Sequence, residues 1–235
     1  MNKKGKLYLI PNTLGEPNIK TVIPQDVINT IKPLKYFIAE HSKTARAFLK
    51  LVEIDHAQSE LEFFELNKFT DRTQLHPFLE PIKQGFDMGL ISDAGCPGIA
   101  DPGAEIVALA HQMEIQVVPF VGPSSILLAH MASGMNGQSF AFNGYLPIDK
   151  SDRKKKLQFL DNLAQKGQSQ SFIETPYRNK QMFQDILSNC KTKTKVCIAY
   201  DITLAGESIQ TKSVQAWKNS SVPDFHKKPC IFILG

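Results

Sequence analysis

The chain has 235 residues, of which 42% are hydrophobic, enough for one large domain or two modest ones and too apolar for a disordered chain. A formal charge of +4 is modest, and no apolar run approaches the ~20 residues that a membrane helix needs. The first apolar run, Leu7-Tyr8-Leu9-Ile10, is too short for a signal peptide and lacks a cleavage site, so a cytoplasmic protein with no membrane partner is expected. Cys96, Cys190, Cys197 and Cys230 form no Cys-x-x-Cys pair and read as buried thiols, and the histidine spacing suggests no zinc, so no metal is expected.

In chain order, short apolar strands alternate with helical stretches. Leu7 to Ile10 and Tyr36 to Ala39 read as strands, and Ser42 as the cap of a helix through about Leu51. Leu61 to Leu66 suits either a strand or a helix start; Leu75 to Lys83 reads as a helix stopped by Gly85. Gly89 to Ser92 is a buried strand, and Asp101-Pro102 is a helix start with aspartate as cap. Gln116 to Pro119 is a strand, followed by a small-residue helix through about Ser133. Strands at 140–145, 171–174, 196–200, 209–211 and 230–234, with helices at 153–163 and 178–187, complete an α/β pattern. A boundary near Phe120 to Gly122 divides it into α/β domains 1–120 and 121–235.

Four loops carry possible chemistry. The first, Pro11 to Glu16 with Leu14 and Gly15, leaves a strand end, where open α/β sheets bind ligands. The second runs from Ser92-Asp93-Ala94-Gly95-Cys96-Pro97 to Gly103, in a segment with no lysine or arginine between Gln84 and Asp149. Its glycines suit close backbone approach to a ligand, and its carboxylates, Asp93 and Asp101, favour a neutral or cationic one. S-adenosylmethionine, with sulfonium and ammonium groups, fits that description better than a nucleoside triphosphate. Asp101 reads better as a helix cap than as a ligand. The third loop, Gly122-Pro123-Ser124-Ser125, places hydroxyls at a helix start. The fourth is Glu174-Thr175-Pro176-Tyr177-Arg178, in which Arg178 either has a task of its own or pairs with Glu174 to hold the turn. The cation clusters (the N-terminal lysines, Arg153-Lys154-Lys155-Lys156, the Lys191–Lys195 run, Lys227-Lys228) suit either RNA phosphates or solvated faces.

Several stretches together resemble the tetrapyrrole methylase superfamily of S-adenosylmethionine-dependent methyltransferases, closest to its ribosomal RNA small subunit ribose 2′-O-methyltransferase I branch. They are Leu7 to Pro11 with Leu14-Gly15, Ile38-Ala39-Glu40 with Thr44 and Arg46, Ser92-Asp93-Ala94-Gly95-x-Pro97 with Asp101-Pro102-Gly103, Gly122-Pro123-Ser124, Phe142 with Gly144 to Pro147, and Glu174-x-Pro176-x-Arg178. Three features depart from the branch. His41, Ser42 and Lys43 stand where it has aspartate, threonine and arginine. Leu204 and Gly206 stand where it has lysine and histidine before a glutamate, and its RNA-modifying members continue beyond the position of Gly235.

The resemblance implies two α/β domains with the cofactor in the cleft between them, a homodimer, and in-line methyl transfer needing no metal. It implies cofactor contacts at Pro11, Leu14, Gly15, Ser92 to Pro97, Ser124, Ser125 and Pro176, and candidate catalytic groups Glu40, Glu174 and Arg178, with Asp201 as a further carboxylate. The expected acceptor is a ribose 2′-hydroxyl of ribosomal RNA on RNA or a ribosomal subunit. A small, tetrapyrrole-like acceptor and a catalytically silent cofactor-binding protein are the alternatives.

Overall fold

The computed structural model describes residues 4–15, 18–67 and 69–235, without the side chain of Arg72. Glu16 of the first loop and Lys3 of the N-terminal cluster lie outside the described residues. The chain divides into two compact units, Met1–Ser124 and Ser125–Gly235.

The first unit contains, in order, β1 (Lys6–Ile10), α1 (Gln25–Ile31), β2 (Tyr36–Ala39), α2 (Ser42–Val52), β3 (Glu62–Glu65), α3 (Glu80–Lys83), β4 (Met88–Ile91), α4 (Ala104–Gln112) and β5 (Gln116–Pro119). Its sheet runs β3-β2-β4-β1-β5, and every pairing is parallel. A parallel sheet is covered on both faces, so its strands read as continuous apolar runs. Alternation along β1 shows this directly. Leu7 joins a core with Ile82, Ile106 and Leu109, whereas Tyr8 and Ile10 join one with Ile28, Ile31, Phe48 and Leu49.

The order of strands fixes where a ligand can sit. β1 leads toward β2 on one side, and β4 leads toward β5 on the other. The chain therefore leaves the neighbouring strands β1 and β4 in opposite directions, the switch point at which open α/β sheets form their crevice.

The second unit contains α5 (Ser125–Ser133), β6 (Phe140–Tyr145), α6 (Lys150–Gln165), β7 (Ser169–Ile173), α7 (Asn179–Asn189), β8 (Lys195–Tyr200), β9 (Ser208–Ser213), α8 (Val214–Lys218) and β10 (Cys230–Leu234). Its sheet, β6-β7-β10-β8-β9, is antiparallel except for the β6–β7 pair. Trp217, Phe183, Phe225, Phe172 and Phe232 pack its main core, and the Trp217 indole N–H donates to Val196 O at 2.8 Å.

Three local expectations change. Ser42 is the first helical residue of α2 and not its cap; the Glu65 carboxylate accepts from the Ser42 amide at 3.2 Å and supplies the missing partner from β3. The expected helix at 75–83 is a 3-10 turn, His76–Leu79, followed by the short α3, because Pro77 and Pro81 interrupt the amide ladder. Helix α4 begins at Ala104 rather than at Pro102.

Candidate functional site

The site is built on the ends of β1 and β4. Asn12 follows β1, and its amide donates to Gly95 O at 2.9 Å while the Gly95 amide donates to Asn12 O at 3.2 Å. The Asn12 side chain is buried and fully used. Its Nδ2 donates to Ser92 O and Asp93 O, both at 3.1 Å, and its Oδ1 accepts from Thr13 N at 2.8 Å. Asn12 therefore fastens the first loop to the second, a role that sequence reading misses because its partners lie some 80 positions away.

Around this clasp the expected residues gather. The Ser92 hydroxyl donates to Ala94 O at 3.0 Å, and the Cys96 thiol points to Pro123 O at 3.5 Å. A Cβ on Gly95 would lie 3.4 Å from Leu14, and one on Gly122 would collide with Pro11 at 2.4 Å. Pro11, Leu14, Ser92, Gly95, Cys96 and Pro123 thus form one cluster within the first unit, and Gly15 sits beside Thr13, whose hydroxyl accepts from its amide at 3.4 Å. Burial pushes the Cys96 thiol pKa up, so among the described residues nothing around it favours the thiolate, although it is the least enclosed of the four cysteines. Ser124 closes the first unit; Ser125 opens α5 and Pro176 opens a 3-10 turn in the second.

The charge expected of the loop is redistributed. Asp101 does not cap a helix: its Oδ1 accepts from Gly98 N at 2.5 Å and Gly103 N at 2.8 Å and so pins the loop to itself. Asp93 is met by a base from another strand. β2 and β4 pair in parallel with Ala39 opposite Ile91, so residues two beyond each end, His41 and Asp93, stand at the same level. His41 Nδ1 lies 2.6 Å from Asp93 Oδ2, and a carboxylate oxygen of Glu40, a ring nitrogen of His41 and a carboxylate oxygen of Asp93 all lie within 4.8 Å of one another. The hydrogen bond and charge of Asp93, with smaller contributions from Glu40 and Glu65, raise the His41 pKa above its ordinary value.

In the second unit the Glu174 carboxylate is buried, with Oε2 accepting from Arg178 Nη2 and Oε1 from Thr175 N, both at 2.7 Å. That is the geometry of a turn-holding pair. Asp201 is held by Lys228 at 2.6 Å. The basic run is also divided. Arg153 is buried, donating to Asp185 at 2.7 Å and to the carbonyls of Pro147 and Ile148, whereas Lys154 and Lys155 are exposed. Among the described residues, no helix is long and apolar enough to cross a membrane.

The fold is that of methyltransferases. The chain aligns with the crystal structure of the methyltransferase CobJ at a TM-score of 0.63 and 14% identity, covering 98% of this chain and 94% of that one. It aligns with the cobalamin biosynthetic cobalt precorrin-4 methyltransferase CbiF at a TM-score of 0.62, 14% identity and the same coverage. No protein-family model matches the chain. Among curated proteins it is 31% identical over 208 residues to the ribosomal RNA small subunit methyltransferase I of Pasteurella multocida, covering 88% of this chain and 70% of that protein. It is 28% identical to the protein of that name from Vibrio cholerae (87% and 67%) and 29% identical to the one from Streptococcus pyogenes serotype M3 (98% and 76%). With these relatives and a tetrapyrrole methylase fold, the chain belongs to the ribosomal RNA small subunit methyltransferase I family and is a methyltransferase.

Proposed function

We propose that this chain transfers the methyl group of S-adenosylmethionine to a ribose 2′-hydroxyl of small-subunit ribosomal RNA, in the cytoplasm and as a homodimer. The observation that carries the reading is the Asn12–Gly95 clasp at the β1/β4 switch point, in a chain aligned with the methyltransferase I relatives over most of its length. The residues present suit the cofactor. Pro11, Leu14 and Gly15 and the Ser92 to Pro97 backbone form a clasped double loop, and Asp93 offers a partly exposed carboxylate for an ammonium group or ribose hydroxyls. Ser124, Ser125 and Pro176 are the further contacts in this reading. When bound, the cofactor supplies an electrophilic methyl on sulfur with a leaving group that departs neutral. The protein's share is alignment of acceptor and methyl, which can lower a barrier by ~7–11 kcal/mol. Homodimerisation is supported by β6, an edge strand that among the described residues pairs with β7 alone, and by Tyr145 and Ile148, whose exposures are 62% and 79%; sedimentation velocity tests it.

The test of function is transfer of labelled methyl from S-adenosylmethionine to small ribosomal subunits, naked ribosomal RNA and a tetrapyrrole, in parallel. Label in RNA at a position resistant to alkaline cleavage supports the reading, because a 2′-O-methyl group blocks that cleavage. Label in the tetrapyrrole alone replaces the acceptor. Saturable cofactor binding with no transfer makes the chain a silent binder.

A further inference from the structure

A methyl transfer to a hydroxyl has to dispose of a proton, and two of the three carboxylates expected to take it, Glu174 and Asp201, are engaged, while the third, Glu40, lies beside His41 and Asp93. Both oxygens of Glu174 accept hydrogen bonds, and Asp201 is paired with Lys228. At the crevice edge the position is different. His41 Nδ1 faces Asp93 Oδ2, and among the described residues His41 Nε2 has no hydrogen-bond partner. A carboxylate can only accept, so the imidazole proton sits on Nδ1 and the Nε2 lone pair faces outward. The His41 side chain is 59% exposed, so an acceptor can reach it. An aspartate that fixes the tautomer of a histidine whose second nitrogen is open is the arrangement by which hydrolases generate a general base.

Resting on the reading above, we propose that His41, oriented by Asp93, is the general base of this methyltransferase and takes the proton of the acceptor hydroxyl at Nε2. The oxygen–carbon bond forms as the carbon–sulfur bond breaks. The sulfur keeps the electron pair of that bond and becomes a neutral thioether. The hydroxyl proton passes to Nε2, and the imidazolium is held by the Asp93 carboxylate until solvent takes the proton. Among the described residues the other charged groups acting on the ring are Glu40, one residue past β2, and Glu65 at the end of β3; both are acidic and both favour the protonated ring. The base is therefore competent only above a pKa raised from the ordinary histidine value. Because the branch it resembles has aspartate at this position, the base is a feature of this chain rather than a borrowed one.

The experiment combines proton-detected imidazole NMR, cofactor calorimetry and single-turnover methylation of small ribosomal subunits. In the wild type, His41 should be an Nδ1–H tautomer when neutral, titrate above 6.5, and fall toward 6.5 in Asp93→Asn. His41→Gln and His41→Ala should each lower the transfer rate by ~10²–10⁴-fold, the range for one general base, with cofactor affinity within threefold of wild type. The wild-type rate should rise with pH through the His41 pKa and level off, and both variants should lose that limb. Free imidazole should restore part of the rate to His41→Ala. A His41 that titrates at its ordinary value, or a His41→Gln protein with the wild-type rate and pH profile, overturns the assignment while leaving the methyltransferase reading standing. A folded, cofactor-binding wild type that labels no hydroxyl acceptor overturns both.

Discussion

Gly95 separates two reasons for a glycine in the clasped loop, because the structure gives each its own magnitude. It lies at φ +70°, and among the described residues a Cβ there would meet Leu14 at 3.4 Å and Pro123 O at 3.5 Å, ordinary contacts. The protein itself therefore has room for an alanine, and what resists it is the left-handed backbone, at ~1–2 kcal/mol. Gly137 is the control: among the described residues nothing lies within 4 Å of a Cβ there, and its φ is not left-handed. Gly137→Ala should be neutral or gain up to ~1 kcal/mol by restricting the unfolded chain. Urea unfolding measures these costs. Calorimetry with S-adenosylmethionine then asks whether the same methyl also obstructs the ligand. If the cofactor approaches the Gly95 backbone, Gly95→Ala should weaken binding at least tenfold, about 1.4 kcal/mol, in protein that is still folded. Gly95→Val adds a branched side chain and should cost more in both measurements. Wild-type affinity in folded Gly95→Ala would refute the close approach. A stability loss near zero would refute the backbone argument.

Asp185→Ala should destabilise the second unit by ~3–5 kcal/mol, read by the fluorescence of Trp217, since it strands the buried Arg153 guanidinium; replacing both partners with leucine and methionine should recover most of the loss. Changing Lys154, Lys155 and Lys156 to glutamine should weaken RNA binding and flatten its salt dependence by about one unit for each phosphate no longer neutralised, with cofactor affinity unchanged. In native protein at pH 8 a thiol reagent should reach Cys96 alone, because Cys190, whose pKa is pushed up to about 12 by burial, and Cys197 and Cys230, also raised, are enclosed. His130 is buried, neither ring nitrogen has a hydrogen-bond partner among the described residues, and burial lowers its pKa. Its contribution is intact above the unfolded value near 6.5 and is lost as pH falls below it toward the lowered folded value, so His130→Leu should flatten the acid limb of the stability curve.

The fold is legible wherever one segment carries its own period. Every strand expected from an apolar run is present, and the alternating α/β pattern is the observed architecture. The failures are local and have local causes. The apolar content of 75–83 suggests one helix, and prolines at 77 and 81 break it into turns. Helix α1 leaves little trace in the sequence although Val27, Ile28 and Ile31 mark one buried face, because it is only seven residues long. The proline after Asp101 points to a helix start, but the Asp101 carboxylate accepts from the loop's own amides at Gly98 and Gly103, and α4 begins only at Ala104.

The site is legible as a set of loops and not as a set of contacts, and the difference is one of register. Glycines, prolines and a strand end mark 92–103 as specialised, and that signal is contained in the segment itself. The partners are not. Asn12 and His41 reach Asp93 only because β1, β4 and β2 stand side by side, an order that no single segment encodes. Once the order is known, the parallel pairing of Ala39 with Ile91 places His41 level with Asp93 with no further information. The one trace in the sequence is a histidine where the resembling branch has aspartate. Two carboxylates at that level would repel each other; an imidazole and a carboxylate attract. The substitution therefore alters the electrostatics of the whole crevice edge. A loop that reads as purely acidic along the chain becomes, in the folded sheet, a carboxylate joined to a base.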